Sequence, residues 1–104
     1  MPVKLAAATS PSIVSDINAH MRKSGILNPG WYVGITSDVD QRLFGDHKVP
    51  RANHWFIYRR ALSSEDARNI EAAYHRAGCK GGGSGGDYSA VYVYAYVITL
   101  NTLE

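Results

Sequence analysis

The sequence predicts an α+β fold: a small, mainly antiparallel sheet of about three strands, flanked by helices. Two observations carry this. Three runs rich in aromatic and β-branched residues, Trp31–Ile35, His54–Arg60 and Val91–Leu100, read as strands. Stretches with helical spacing and helix-start signals lie before, between and after the first two of them. The order is helix, strand, helix, strand, helix, strand, and such elements bury their apolar faces by packing helices onto a sheet. At 104 residues the chain forms one domain, residues 1–104.

Met1 to Thr9 is weakly patterned and reads as a mobile arm, or as an edge strand around Val3 to Ala6. Ser10 then serves as a helix N-cap, with Pro11 at the first helical position. Ile13, Val14, Ile17 and Met21 form its apolar stripe. Arg22 and Lys23 favour the negative end of the helix dipole, and Gly25 can close it. Asn28-Pro29-Gly30 is a turn into the first strand. Gly34 interrupts that strand, the mark of a bulge or of a close backbone approach. Thr36, Ser37 or Asp38 can each cap the short helix that follows, which carries Val39 and Leu43 inward. Arg42 and Asp46, four apart, share another of its sides.

Lys48 to Asn53 is a basic loop, and His54 to Arg60 alternates as the second strand. Ser63 or Ser64 caps a helix running to about Ala77, with Glu65 and Asp66 in its first turn. Ala67, Ile70, Tyr74 and Ala77 are its buried stripe, and Gly78 ends it. Gly81 to Gly86 is nearly pure glycine. It precedes a strand and not a helix, so it lacks the layout of a phosphate-binding loop; it reads as a flexible link or a loop that approaches a substrate. In the last strand Tyr92, Tyr94 and Tyr96 share one face, and Val91, Val93, Ala95 and Val97 the other.

Composition sets outer limits. Net charge of +2 is mildly basic, which permits a nucleic-acid partner without arguing strongly for one. One cysteine, Cys79, rules out an internal disulfide framework and fits a reducing compartment. No apolar run approaches the roughly 20 residues of a membrane span. Met1 to Ala8 holds too little for a secretory signal, so a soluble cytoplasmic protein is expected. No histidine has zinc-type spacing with a cysteine.

The stretch Tyr32-Val33-Gly34-Ile35-Thr36, with Arg42 and His47 beyond it, resembles the second half of the GIY-YIG nuclease motif. In that family the second strand gives a tyrosine, the next helix an arginine and often a histidine, and a later helix a metal-binding glutamate. Ser64 to Glu71 resembles that later helix, with Ala67 four residues before Glu71. This chain departs twice. The family spaces arginine and histidine four apart, whereas Arg42 and His47 are five apart; and no first tyrosine strand precedes Tyr32. The last strand can fill that place in the sheet from the other end of the chain, a permuted order in which Tyr92, Tyr94 or Tyr96 stands for the family's first tyrosine.

The resemblance implies a metal-dependent DNA endonuclease. Tyr32, Arg42, His47 and Tyr94 are the catalytic candidates, and Glu71 would hold Mg2+ or Mn2+. Such chemistry needs one carboxylate for a hard cation, a cation for the phosphate oxygens, and a group that takes or orients a proton. Lys48, Arg51, Arg59 and Arg60 would form a basic rim for a phosphate backbone, with Arg68 and Arg76. Each has a plainer reading: Tyr32 as a core tyrosine, Arg42 as a partner of Asp46 or Asp38, Glu71 as a partner of Arg68 or His75, His47 as a helix-end histidine. Trp55, Phe56 and Tyr58 read as core or as a stacking surface. The class alternative is a catalytically inactive module of the same fold that binds nucleic acid or a protein.

Overall fold

The computed structural model describes residues 6–82 and 89–104. Its elements in chain order are helix α1 (Ser10–Ser24), strand β1 (Trp31–Thr36), a π-helical segment (Asp40–Asp46), strand β2 (Phe56–Arg60), helix α2 (Ser64–Arg76) and strand β3 (Tyr92–Val97). The three strands form one antiparallel sheet in the order β1-β3-β2. The last strand is therefore the central one, paired directly with β1, as the alternating tyrosines require.

The register divides the sheet into two faces. Tyr32, Gly34 and Thr36 align with Tyr96, Tyr94 and Tyr92, which align in turn with Phe56, Tyr58 and Arg60. That is the tyrosine face. The other face carries Trp31, Val33, Ile35, Ile57, Val93 and Ala95, and packs with Ile13, Ile17 and Met21 of α1 and Ala67, Ile70 and Tyr74 of α2. The tyrosine face is covered by Val39, Leu43 and Val49, from the π-helical segment and its flanks. Two small cores thus share one sheet, because strand side chains alternate and both faces are apolar enough to bury.

Local chemistry sets the ends. Thr9, not Ser10, caps α1, its hydroxyl accepting the Ser12 amide, and this places Pro11 in the first turn. Gly25 closes the helix at φ 72°, a left-handed position that suits glycine. Ser63 caps α2 by accepting the Asp66 amide at 3.1 Å. Ala77 lies one residue past α2 and is exposed instead of buried. Strand β2 starts at Phe56, though the Trp55 carbonyl still accepts the Val97 amide at 3.0 Å. Strand β3 stops at Val97, short of Leu100, because Thr99 and Thr102 turn the chain: the Thr102 hydroxyl accepts the Thr99 amide and the Thr99 hydroxyl accepts that of Asn101.

The N-terminal arm is fixed as far as it is described. The Ala8 amide donates to the Arg60 carbonyl at 2.9 Å. The expected edge strand at Val3–Ala6, apart from Ala6, lies outside the described residues, as does most of the Gly81–Gly86 run.

Both sheet edges are closed by unlike donors. On β2 the outward carbonyl of Tyr58 accepts from the Arg59 guanidinium (2.8 Å) and that of Arg60 from Ala8. On β1 the Trp31 carbonyl accepts from the Lys80 amide (2.8 Å), and the Val33 carbonyl accepts from His75 Nε2 (2.8 Å). A sheet of three strands needs such covers, since an open edge is a template for another chain.

Candidate functional site

The site forms on the tyrosine face around the Tyr94 hydroxyl. Gly34 lies directly across from Tyr94 in the ladder, and the ladder runs through it without a bulge. A Cβ at Gly34 would stand 2.4 Å from that hydroxyl, so the glycine answers a close approach.

The π-helical segment supplies two groups. Asp38 starts it by accepting the Gln41 amide at 3.1 Å. The His47 amide then donates to the Arg42 carbonyl at 3.0 Å, a bond spanning five residues where an α-helix spans four. The wider turn stacks Arg42 and His47 on the same side. In an α-helix five residues turn through about 500°, which would splay them by about 140°. The five-residue spacing that sets this chain apart from the GIY-YIG pattern is thus absorbed by the backbone.

His47 is 3% exposed, at the bottom of the site. Its Nε2 lies 2.7 Å from the Tyr94 hydroxyl and its Nδ1 2.6 Å from the Leu103 carbonyl. Tyr32 packs on it at 4.6 Å between ring centroids and stacks with Tyr96 at 5.1 Å. Burial, helped by the Arg42 charge, holds the His47 imidazole below its usual value and hence neutral. Burial pushes the Tyr94 phenol up; Arg42 acts against that, and the Tyr32 and Glu71 charges add to it.

Arg42 is half-exposed. Hydrogen bonding to the Tyr94 hydroxyl is the largest influence raising its guanidinium, ahead of Asp46, which it meets at 3.4 Å. The Asp46 carboxyl is held below its usual range by the Gln41 amide first and Arg42 second. An exposed pair of this kind is weak, so it would hold Arg42 only loosely.

Glu71 flanks the buried stripe of α2, one turn before His75. Burial raises its carboxyl, and the charges of His75 and Arg68 only offset part of that. His75 Nε2 donates to the Val33 carbonyl at 2.8 Å, which leaves its lone pair on Nδ1. Among the described residues no group of three or more His, Cys, Asp or Glu side chains gathers. A cation at Glu71 would take most of its shell from water and a phosphate, not from an all-protein cage.

Tyr32, Arg42, His47 and Tyr94 are brought together, with Glu71 near enough for its charge to act on Tyr94. Of the three late tyrosines, Tyr94 meets both Arg42 and His47; Tyr96 meets Nδ1 of His47 at 3.0 Å, and Tyr92 lies farther along the strand. The basic rim divides. Arg60 is on the tyrosine face; Lys48 is exposed at φ 59°, beside His47 in sequence; Arg51 stacks over Phe44 at 4.0 Å and pairs with Asp40. Arg59 stands on the helix-covered face, paired with Asp16 at 3.1 Å, and is separated from the others. Phe56 and Tyr58 lie half-buried on the tyrosine face, while Trp55 leans on His20 of α1.

The Leu103 carbonyl was not legible in the sequence, because a backbone acceptor has no residue signature. No protein-family model, no curated protein and no solved structure matches the chain. No helix among the described residues is long and apolar enough to cross a membrane.

Proposed function

We propose that the chain is a metal-dependent DNA endonuclease of the GIY-YIG type, hydrolysing phosphodiester bonds with Mg2+ or Mn2+. One observation carries the reading: Arg42 and His47 converge on the Tyr94 hydroxyl, Tyr32 packs against the His47 and Tyr94 rings, and the Glu71 charge acts on Tyr94. The strand bearing Tyr94 lies beside β1, the place the resemblance requires for the family's first tyrosine.

The roles follow from chemistry. Arg42 neutralises the non-bridging phosphate oxygens that gain charge as water attacks. Tyr94 accepts the proton of that water as its own proton passes to His47 Nε2. A positioned base of this kind contributes about 100-fold to 10,000-fold. Tyr32 walls the site and holds the imidazole plane. Glu71 would hold the cation, which when bound stabilises the leaving oxygen. Lys48, Arg51 and Arg60 track the backbone on either side. The unpaired Cys79 and a DNA substrate fit a cytoplasmic setting.

A second reading has its own support. Tyr94 is 1% exposed and His47 3%, and they are bonded to each other. That arrangement also suits a structural core beneath a phosphate-binding arginine, in a catalytically inactive module that binds nucleic acid or a protein. Plasmid nicking with Mg2+ or Mn2+ separates the two. A nuclease nicks, and Arg42→Ala then weakens both cleavage and binding, lowering the salt slope of binding by about 1. Wild type that binds DNA but never nicks it supports the module.

A further inference from the structure

The strap that follows β3 reaches under the site. Ile98 to Leu103 turns through Thr99 and Thr102, whose hydroxyl both accepts the Thr99 amide (3.0 Å) and donates to the Thr99 carbonyl (3.1 Å). Thr102 is buried there. The turn delivers Leu103 to His47, and the two residues clasp each other: the Leu103 amide donates to the His47 carbonyl at 2.7 Å, and the Leu103 carbonyl lies 2.6 Å from Nδ1. The Tyr96 hydroxyl donates to the same carbonyl at 3.2 Å.

A carbonyl oxygen can only accept, so the short contact requires that Nδ1 carry the hydrogen. A neutral imidazole carries one, so Nε2 presents a lone pair, and the Tyr94 hydroxyl 2.7 Å away must donate to it. With the Tyr96 proton on Leu103, the Tyr96 oxygen is left as an acceptor for Nδ1–H at 3.0 Å, and every group in the chain is satisfied. The opposite tautomer would set a lone pair of Nδ1 against the carbonyl oxygen.

We propose that the Leu103 carbonyl, presented by the Thr99–Thr102 turn, is a positioning group that fixes His47 as the acceptor for the Tyr94 proton. It occupies the place a carboxylate holds behind a catalytic histidine, but brings no charge. An uncharged acceptor orients the ring and favours its protonated form, but burial outweighs that and holds the imidazole below its usual value. The catalytic consequence rests on the nuclease reading; the tautomer assignment stands apart from it.

The test reads the tautomer directly. In the full chain, 15N-labelled at histidine, long-range proton–nitrogen correlation at pH 7.5 should find His47 protonated at Nδ1 and bare at Nε2. Thr102→Val removes both hydroxyl bonds of the turn and should shift His47 toward the Nε2–H form, whereas Thr102→Ser should keep the wild-type pattern. Leu103→Pro, which deletes the amide of the clasp, should act like Thr102→Val. In the nicking assay Thr102→Val should lower kcat about 10-fold to 100-fold with KM unchanged, in line with the loss of a group that orients a catalytic side chain. Wild-type His47 in the Nε2–H form overturns the proposal even if DNA is cut. So does an unshifted tautomer in both Thr102→Val and Leu103→Pro. An Nδ1–H tautomer that shifts in these variants of a chain that never nicks DNA upholds the positioning role and sinks the nuclease reading alone.

Discussion

At the scale of single residues, what could be read from the sequence were the groups that carry their own chemistry. Tyr32, Arg42, His47 and Glu71 stand out by type and spacing, and the structure gathers the first three around Tyr94. Gly34 was readable only as one of two things, and the close approach of Tyr94 decides between them. The choice of Tyr94 among three tyrosines was not readable, since all three share a face and only the register against Gly34 distinguishes them. Gly34→Ala should therefore cost stability, about 1–3 kcal/mol in denaturant unfolding, because the added methyl meets the buried Tyr94 ring at 2.4–2.6 Å. Gly45→Ala is the control: its methyl would meet only the flexible end of Gln41, at 3.1 Å, and its effect should stay within about 1 kcal/mol. Equal losses in the two variants would contradict the role given to Gly34.

At the scale of elements, helices and strands were legible where periodicity and caps agree, as in α1, α2 and β3. Ends were less so, because Thr9 and Ser10 are both able caps and only the backbone angles choose. The π-helical turn could not be read, since hydrophobic spacing gives Val39 and Leu43 inward in either helix type. It explains how two catalytic candidates five residues apart still face one hydroxyl. Such a turn is what one residue inserted into an α-helix produces. Deleting Gly45 should undo it, leaving Arg42 and the histidine four apart in an α-helix, on one side as before. The expected outcome is a folded protein whose histidine keeps its Tyr94 bond, seen as an unchanged imidazole tautomer. A deletion variant that unfolds, or that loses this bond, would mean that the π turn is itself required.

For the whole molecule, one sheet serves two cores, and on each side of it one histidine, His20 and His47, is held below the usual imidazole value. Burial lowers His20 between α1 and β2, with Arg59 and Lys23 adding to it, and burial lowers His47 under the tyrosine face. Each binds its proton more weakly folded than unfolded. Their contribution to stability is therefore complete above the unfolded value, about 6.5, and is lost as pH falls through the folded values. Glu71 opposes this, because its raised carboxyl takes up a proton more readily in the folded chain. The melting temperature should fall from pH 7 to pH 5 as the two imidazoles take up protons, with Glu71 working against the fall. His20→Phe should remove part of that fall. A melting temperature independent of pH over this range would contradict the lowered values of the two rings.

The carboxylate gives the most direct measurement of the central claim. Glu71 is the one carboxylate assigned to the metal, and burial of its charge makes it a cost to the fold at neutral pH. Glu71→Gln keeps the shape and removes the charge. Nicking of supercoiled plasmid with Mg2+ or Mn2+ should be lost in this variant, while DNA binding persists or tightens and the melting temperature at pH 7 holds or rises. Wild-type nicking that continues undiminished in Glu71→Gln would contradict the account.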